Sequence, residues 1–419
     1  MTVSGKEGVD VVVVGAGAAG LACAADLGAA GLAVRVLEAD AAPGGRMRTD
    51  RVAGFTVDRG FQVFNTSYPQ VKRRLDLLRL RLRPFTPAVL VSTPDGMRRY
   101  TDPMRDLRRS GDLFSGRAGS PRDLLAAGVL SARDMLEPAA LLRSRTDTTT
   151  RTALARAGVS GAMVETFFRP FLSGVFLEEE LATSSRVFHL VWRTLLRGTL
   201  CLPADGAGAV PAQLAAGLPA GVLSTGSPVD GLTAGGVRLA DGTELAARAV
   251  VVATGARAAA HLLPGLDVPA GRTVSTVYHA AGESPLSEPT LVVDARRRFL
   301  NTCVLTEVQP GYAEDGRSLV ATSVLGELPP ERDVRLRAAL AEVYGADTRS
   351  WETVHRITVP DALPAMPPPY PLTRTTRLGG GRYVCGDHRA TGSLQGALSS
   401  GARAAREVLA DLGRGGAAG

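Results

Sequence analysis

The chain opens on an apolar stretch in which hydrophobic residues first run together and then become periodic. Val9–Val14 is a nearly continuous run of β-branched side chains, which is typical of a strand buried on both faces. A helical pattern follows to about Ala30, and a second strand is predicted over Ala33–Leu37. Asp10, Asp26 and Arg35 interrupt the stretch, which argues against a transmembrane helix because charge at mid-bilayer is costly.

Three glycines lie between the first strand and the helix with the spacing G-x-G-x-x-G, at Gly15, Gly17 and Gly20. In this spacing the first glycine permits a tight turn, the second lets a pyrophosphate approach the backbone, and the third lets helix and strand pack closely. Glu38 ends the second strand, where its carboxylate can accept hydrogen bonds from a ribose diol. This order of elements predicts a dinucleotide site at the helix N-terminus, and the alternative is a purely structural βαβ unit.

Beyond this unit the periodicity changes several times along the chain. Residues 71–200 are predicted to be mainly helical, with a Gly/Ser/Arg-rich loop near 110–121, and residues 205–265 return to short strands. Residues 270–358 mix strands with a helix, and the proline-rich segment 359–371 is a crossover that cannot be helical.

The C-terminal segment combines a short predicted strand with a helix of small residues. Arg382–Cys385 has strand character and leads into Gly386 and Asp387. After Gly392, small and apolar residues recur at helical spacing up to Leu412, so one face is thin enough to lie against other backbone. The N-terminus of that helix is predicted to direct its positive partial charge at a bound ligand.

Composition and charge narrow the class of protein. The chain has 419 residues, 45% of them apolar, and a net charge of +7. Only Lys6 and Lys72 are lysines among its 48 basic residues. That skew favours GC-rich coding over a nucleic-acid site, so no nucleic-acid partner is expected. The densest basic stretch, 71–83, is interpreted as a solvated helix face, with peripheral contact to a membrane or another anionic partner as the alternative.

Cysteine and histidine are too scattered for a metal site. The four cysteines form no C-x-x-C motif, and no two of the five histidines lie four residues apart, so no metal ion is expected. Cysteines without a disulfide framework, and a start that does not read as a secretory leader, favour a cytoplasmic protein.

Three motifs resemble those of the flavin amine oxidase and phytoene desaturase superfamily. They are Gly44-Gly45-Arg46 after the second strand, GFTVDRGFQVFNTSYPQ at 54–70, and G-D-x(5)-S-x-Q-G-A-x(2)-S-G from Gly386. The second and third are most similar to plant-type carotenoid desaturases. The resemblance implies FAD as the cofactor, with 44–46 along its diphosphate and 54–70 beside the isoalloxazine ring.

The resemblance also implies a fold and a division into domains. The expected fold is α/β, with a Rossmann-like FAD-binding domain, built on a central parallel sheet with helices and a small β-meander, and a discontinuous α+β substrate domain. The FAD-binding domain is predicted to take 1–70, 205–268 and 362–419, and the substrate domain 71–204 and 269–361.

The predicted cofactor site combines the glycine motif with positions that match FAD-contacting positions of the superfamily. Asp387 is expected at the ribityl or pyrophosphate part of FAD, and the backbone of Val229 at the adenine. The full set is Gly15, Gly17, Ala18, Ala19, Gly20, Glu38, Ala39, Gly44, Gly45, Arg46, Gly60, Phe61, Gln62, Val229, Ala253, Thr254, Gly255, Gly386, Asp387, Ser393, Leu394, Gln395 and Ala397.

Candidates for chemistry are fewer. Gln62 stands where carotenoid desaturases often carry a histidine, and its amide can hydrogen-bond a flavin heteroatom but cannot titrate. His388 is the second candidate catalytic residue, although positioning of phosphate or packing suits it better than acid–base work. Tyr278, His279 and Asn301 are interpreted as structural.

Aromatic residues are concentrated in one part of the predicted substrate domain. Phe168, Phe171, Phe176 and Trp192 are predicted to line an apolar substrate tunnel, because ligand pockets are mostly apolar and aromatic. The alternative is a well-packed helical core.

Two departures from the amine oxidases of the superfamily bear on function. Those enzymes usually carry a mid-chain lysine that holds a water at flavin N5 and an aromatic residue in the C-terminal motif, whereas this chain has no lysine after Lys72 and has Ser393 at the aromatic position. The predicted function is oxidation (desaturation) of an apolar small molecule by hydride transfer to flavin N5, with reoxidation by oxygen or a quinone. The alternatives are an amine oxidase with an atypical cage, and a FAD-containing isomerase or flavin-binding protein without net redox work.

Overall fold

The fold is taken from a computed structural model that describes residues 9–106, 108, 111 and 119–413. Most of the loop predicted near 110–121 lies outside these residues. In chain order the strands are β1 (Val9–Val14), β2 (Val34–Leu37), β3 (Thr49–Val52), β4 (Phe55–Asp58), β5 (Phe64–Asn65), β6 (Arg83–Pro84), β7 (Ala88–Thr93), β8 (Gly96–Thr101), β9 (Leu200–Leu202), β10 (Leu223–Ser224), β11 (Val229–Thr233), β12 (Gly236–Leu239), β13 (Glu244–Val252), β14 (Gly271–Ala281), β15 (Leu291–Asp294), β16 (Asn301–Val304), β17 (Ser318–Leu325), β18 (Glu352–Pro364), β19 (Arg377–Gly379) and β20 (Arg382–Val384). The α-helices are α1 (Ala18–Ala29), α2 (Pro69–Arg74), α3 (Pro121–Leu136), α4 (Ala139–Ser144), α5 (Thr150–Arg156), α6 (Gly161–Met163), α7 (Arg169–Phe176), α8 (Ser185–Arg197), α9 (Ala209–Ala216), α10 (Ala256–Leu262), α11 (Leu305–Val308), α12 (Pro330–Tyr344) and α13 (Leu394–Asp411).

Eight strands form the sheet that contains β1. Its order is β10-β2-β1-β13-β12-β11, with β20 also paired to β13 and β19 paired to β20. β1 is parallel to β2 and β13, and β13 is parallel to β20, whereas β11, β12 and the start of β13 form an antiparallel meander. Val11 and Val13 pack on one face of the sheet and Val12 and Val14 on the other, which explains why the run is apolar throughout. The predicted Rossmann-like sheet with a meander is confirmed.

Helix α13, from the far end of the chain, packs against α1. The two backbones are so close that a Cβ on Gly401 would overlap the carbonyl oxygen of Ala19. Ala402, Ala404 and Ala405 are buried beside it. The small-residue face predicted for this helix therefore serves close contact between two backbones.

A seven-stranded sheet in the order β18-β14-β17-β16-β15-β7-β8 forms the second layer of the protein. Its strand β14 separates two apolar clusters. Tyr278 and Ala280 pack with Phe55 and Val57 of β4, whereas Val277 packs on the opposite face with residues of α12. The sheet is therefore covered on one face by the segment that precedes 60–62 and on the other by α12.

The interpretation of residues 71–83 as a solvated helix face is wrong about the helix, which stops early, although Lys72, Arg73, Arg79 and Arg81 are exposed as expected. Helix α2 ends at Arg74, because Leu75 adopts an extended backbone and inserts its side chain into the core. Arg74 itself is paired with Asp26 at 2.6 Å rather than free in solvent. Burial of hydrophobic residues therefore determines the backbone conformation here, and the basic residues take the positions that remain.

The expectation that 71–200 is mainly helical holds only from α3 onward. The hairpin β7–β8 precedes it and joins the second sheet, with β7 parallel to β15. The proline-rich segment 359–371 is non-helical as predicted, and its first residues continue β18 to Pro364. Among the described residues no helix is long and apolar enough to cross a bilayer.

Replacement of Gly401 by alanine tests the close contact of α1 and α13. The added Cβ meets backbone, which cannot rotate away, so we expect the free energy of unfolding to fall by about 1–3 kcal/mol or more in urea denaturation. Gly128, in the exposed part of α3, is the matched control, because no described atom lies within 4 Å of its would-be Cβ. Alanine there should stabilise by roughly 0.5–1 kcal/mol. Equal stability of the two variants would contradict the proposed contact.

Candidate cofactor and active site

The glycine motif forms the turn between β1 and α1. Gly15 has a left-handed φ of 103°, and a Cβ there would lie 3.1 Å from the carbonyl oxygen of Ala253 at the end of β13. A Cβ on Gly20 would overlap the carbonyl oxygen of Gly15. Only glycine therefore lets the strand, the turn and the helix meet at these two positions.

The middle glycine of the motif borders open space. No described atom lies within 4 Å of a would-be Cβ on Gly17, and one on Gly45 would lie 3.7 Å from the Gly17 Cα. Gly17 is also the N-cap of α1, and no side chain caps that helix. Ala18 and Ala19 follow in its first turn. An uncapped helix end beside unobstructed backbone fits a diphosphate, whose oxygens accept from the free N–H groups.

Glu38 is held at the end of β2 by two backbone N–H groups. Its Oε2 accepts from Ala16 at 2.7 Å and its Oε1 from Asp40 at 3.0 Å, and only 8% of the residue is exposed. A carboxylate oxygen can accept more than one hydrogen bond, so the remaining lone pairs are available to a ribose diol. The carboxylate is thus oriented before any ligand arrives, and the next residue, Ala39, is exposed.

The other residues predicted at the adenosine end surround the same edge of the sheet. Ala253, Thr254 and Gly255 follow β13, and Gly255 is the N-cap of α10. Val229 begins β11 and packs on the cluster that includes Leu37. The carboxyl ends of β1, β2 and β13 therefore share one edge, where a dinucleotide binds in sheets of this kind.

Arg46 and Asp387 join the start and the end of the cofactor site, although they are 341 residues apart in the chain. The guanidinium donates to the two carboxylate oxygens at 2.6 and 2.9 Å, and to the carbonyl oxygen of Ala362 at 2.9 Å. Asp387 is only 5% exposed and follows Gly386, whose φ is 151°. The Asp387 carboxylate raises the pKa of Arg46, so the guanidinium stays a cation. It fixes 44–46 against the turn that ends β20.

His388 lies beside this pair as a buried neutral imidazole. Only 1% of it is exposed, and neither ring nitrogen has a hydrogen-bond partner among the described residues. Burial lowers its pKa to about 4, and the nearby Arg389 and Arg46 act in the same direction, against Asp387. A small cavity of about 10 Å³, which it shares with Arg46 and Asp361, is near the size of one water molecule. The geometry suits packing or a single hydrogen bond, rather than acid–base work at neutral pH.

Residues 60–62 lie between the cofactor loop and the second sheet. Gly60 turns the chain with a φ of 87°. The Phe61 N–H donates to Thr276 Oγ1 at 3.3 Å, and Gln62 Nε2 donates to the carbonyl oxygen of Arg46 at 2.6 Å. The side chain of Gln62 is therefore tied to the 44–46 loop.

The start of α13 completes the site. Ser393 is the N-cap, and its hydroxyl accepts from the N–H of Gly396 at 3.0 Å. Gln395 Oε1 accepts from the N–H of Gln70 at 2.9 Å, while Leu394 and Ala397 pack on the cluster around α1. The helix is thereby fixed at both its cap and its first turn.

Asp58, two residues before the 60–62 turn, is a buried acid that the sequence analysis missed. It ends the buried strand β4, is 6% exposed, and accepts from Thr49 Oγ1 and from the N–H of Ala207. The hydroxyl of Tyr278 donates to its carbonyl oxygen at 2.7 Å. Burial raises the pKa of Asp58 to about 6. The available signal was an acid that ends an apolar strand directly before the 60–62 turn.

The four predicted tunnel residues lie in one close-packed cluster. Phe168, Phe171, Phe176 and Trp192 are each at most 8% exposed. The rings of Phe168 and Trp192 are 5.5 Å apart and those of Phe171 and Trp192 are 6.2 Å apart. The five residues that lead into α7, Val164–Phe168, form a π-helical turn, a feature frequent at functional sites.

Replacement of Glu38 by alanine tests the ribose assignment. Loss of the oriented carboxylate leaves the ribose hydroxyls without their acceptor, so we expect FAD binding to weaken by about 1–3 kcal/mol in a titration of the apoprotein. Asp95→Ala, in the exposed turn between β7 and β8, is the control and should leave FAD affinity unchanged. An unchanged affinity in the Glu38 variant would count against the assignment.

The buried carboxyl of Asp58 predicts a pH dependence of stability. Its pKa is about 6 in the folded protein and near 4 when unfolded. The stability that Asp58 contributes is therefore fully present below pH 4 and is lost as pH rises through 6. The loss is about 3 kcal/mol at most. Asp58→Asn keeps an acceptor for Thr49 and Ala207 but does not titrate. In urea unfolding across this pH range, the free energy of unfolding of the variant should rise relative to that of the wild type as pH rises.

The control for this effect has the opposite sign. Arg59 holds the pKa of Asp50 below its usual value, so the stability contributed by Asp50 is lost as pH falls. Asp50→Asn should therefore converge with the wild type in acid. A difference between Asp58→Asn and wild type that does not vary between pH 4 and 8 would refute the buried titration.

Comparison with known proteins places the chain in a family. The family described as "Flavin containing amine oxidoreductase" matches residues 18–409. A curated relative, protoporphyrinogen oxidase 2, chloroplastic/mitochondrial, of Arabidopsis thaliana, is 44% identical over 79 residues, which are 19% of this chain. The match spans only 15% of that relative's length.

Solved structures share the whole fold. Cyclohexylamine oxidase from Brevibacterium oxydans IH-35A has a TM-score of 0.67 at 18% identity, covering 97% of this chain and 100% of its own. A putative protoporphyrinogen oxidase from Exiguobacterium sp. 255-15 has a TM-score of 0.70 at 19% identity, with coverages of 97% and 100%. At these identities the likeness shows the fold alone.

The family match extends from the first turn of α1 nearly to the end of α13, so it begins just after Gly17 and includes the C-terminal motif. The predicted resemblance to the flavin amine oxidase superfamily is confirmed. The chain belongs to the flavin-containing amine oxidoreductase family and is an FAD-dependent oxidoreductase.

Proposed function

We propose that this oxidoreductase desaturates an apolar small molecule rather than oxidising an amine. Ser393 carries the proposal. It occupies the position at which amine oxidases of the superfamily carry an aromatic residue, and its hydroxyl is engaged as the cap of α13. The same turn is compact, because a Cβ on Gly396 would overlap the carbonyl oxygen of Thr391. An aromatic wall for an amine is therefore replaced by a tight helix start.

The names of the similar proteins do not choose between the two chemistries. One group is named for protoporphyrinogen and another for amines such as cyclohexylamine. An apolar or polycyclic substrate agrees with the first group and with the resemblance of the 54–70 and C-terminal motifs to carotenoid desaturases.

When bound, FAD would supply the two-electron oxidation as acceptor of a hydride from a substrate C–H bond, and the proton lost from the neighbouring carbon would pass to solvent. The chain's own residues bind and orient the cofactor. Gly17 and the α1 N-terminus would hold the diphosphate, Glu38 the ribose, and the Asp387 carboxylate the ribityl or pyrophosphate part. The N-terminus of α13 favours negative charge nearby through its helix dipole. Reoxidation by oxygen or a quinone completes the proposed cycle.

The proposal is tested by mixing the holoprotein anaerobically with two panels of compounds and following flavin absorbance. We expect apolar polyenes or polycyclic hydroaromatics to bleach the flavin, and primary amines and polyamines to leave it oxidised. Bleaching by amines alone would favour an atypical amine cage. Conversion of an apolar compound without bleaching would favour a non-redox isomerase. Oxygen and a soluble quinone, added separately afterwards, identify the acceptor.

The same assay decides whether the aromatic cluster contacts substrate. Phe171→Ala should slow bleaching by the active compound at low concentration, because an apolar contact is removed. Phe299→Ala is the control, since Phe299 is also buried but packs under α12 in a different cluster. Equal bleaching by the two variants, both retaining FAD, would assign the cluster to the core.

A further inference from the structure

A cavity of about 790 Å³ lies outside the predicted cofactor site. It opens between the loop 263–267, which follows α10, and the segment 374–382, which contains β19 and the start of β20. Its volume falls in the range of roughly 300–1,000 Å³ that is usual for small-molecule sites. None of the glycine motif, the 44–46 loop or the start of α13 lines it.

Arg389 lines this cavity as a buried cation. Only 5% of the residue is exposed. Its guanidinium donates to carbonyl oxygens alone, at 2.6 Å to Thr375 and 3.2 Å to Asp267. In the part of the chain that the structure describes, no carboxylate lies within ion-pair distance of it. Desolvation of a cation without a counter-charge is costly, and burial correspondingly lowers the pKa of Arg389.

Two more arginines line the same cavity, with one acid. Arg374 pairs with Asp267 at 2.6 Å, but the Asp267 side chain is 84% exposed, and the buried Arg374 Nε has no partner among the described residues. Arg382 donates to the carbonyl oxygen of Thr233 at 3.2 Å. Three cations therefore face one largely solvated carboxylate, which leaves an excess of positive charge around the cavity.

We propose that this cavity binds a phosphate-bearing organic molecule. Guanidinium groups match phosphate oxygens in geometry as well as in charge, and more than one of them can contact a single phosphate. Leu263, Leu266 and the 39%-exposed Leu378 form an apolar wall for the organic part. Gly379 and Gly380 leave one end open, because no described atom lies within 4 Å of a would-be Cβ on either. The ligand's charge compensates Arg389.

The site is distinct from that of FAD but adjoins it through one turn. Arg389 belongs to the same 3-10 turn as Asp387, and its N–H donates to the carbonyl oxygen of Gly386 at 3.1 Å. The test therefore uses the FAD-loaded protein, so that the cofactor's own diphosphate site is filled and cannot take up the probe.

The experiment is calorimetric titration of the holoprotein with pyrophosphate at constant ionic strength. We expect saturable binding to the wild type and about tenfold weaker binding to Arg374→Gln, the loss of one charge-assisted contact. Asp267→Asn should bind more tightly, because it removes the only acid among the described residues that line the cavity. Arg377→Gln is the matched control, since Arg377 lies in the same hairpin but pairs with Asp411; its affinity should equal the wild type's.

Leu378→Glu is a second test variant in case Arg374→Gln fails to fold. The substitution adds a negative charge at an exposed position and removes no hydrogen bond. It should also abolish binding while retaining FAD. No saturable binding to the wild type, or equal affinities in the wild type, Arg374→Gln and Leu378→Glu, would overturn the proposal. Tighter binding of citrate than of pyrophosphate would overturn the assignment to phosphate.

Discussion

Asp387 places a carboxylate where only 5% of the residue is exposed, and Arg46 is the cation that makes this burial tolerable. The pair is bidentate, and the same guanidinium also donates to the carbonyl oxygen of Ala362 in β18. One side chain thus connects the loop after β2, the turn after β20 and a strand of the second sheet. A buried ion pair adds little net stability because desolvation offsets attraction, but removal of one partner is severe. Its effect here is to fix the relative position of three distant segments.

Close contact of backbones completes what the ion pair begins. Gly20, Gly396 and Gly401 each lie where a side chain would overlap a carbonyl oxygen of another segment or turn. These contacts bring the N-termini of α1 and α13 to the site from opposite ends of the chain. The helix ends then differ in chemistry, because Gly17 leaves α1 uncapped whereas Ser393 caps α13. The uncapped end of α1 can therefore bind phosphate, whereas the capped end of α13 forms a closed surface.

The sequence was informative where local geometry requires one residue type. The G-x-G-x-x-G turn, Glu38 at the strand end and the small-residue face of α13 each follow from a backbone requirement that few residues satisfy. It was uninformative where tertiary contacts decide. Leu75 ends α2 because the core takes its side chain, and 88–101 forms a hairpin because a strand partner, β15, arrives from about 200 residues later. The neutral state of His388 and the raised pKa of Asp58 depend on burial by distant segments, which periodicity does not reveal.

The chain's preference for arginine bears on the absence of a lysine after Lys72. Much of the arginine has a structural use that lysine cannot copy, because one guanidinium donates in several directions. Arg193 Nη1 approaches the carbonyl oxygens of Asp134, Met135 and Glu137 at 2.6–2.8 Å and so closes the C-terminus of α3. In a chain whose composition favours arginine almost throughout, the absence of a lysine after Lys72 reflects composition as much as chemistry. The preference for arginine does not affect the argument from Ser393, because the comparison at that position is between serine and an aromatic residue. The case against amine oxidation therefore depends on the serine cap of α13 rather than on the absent lysine.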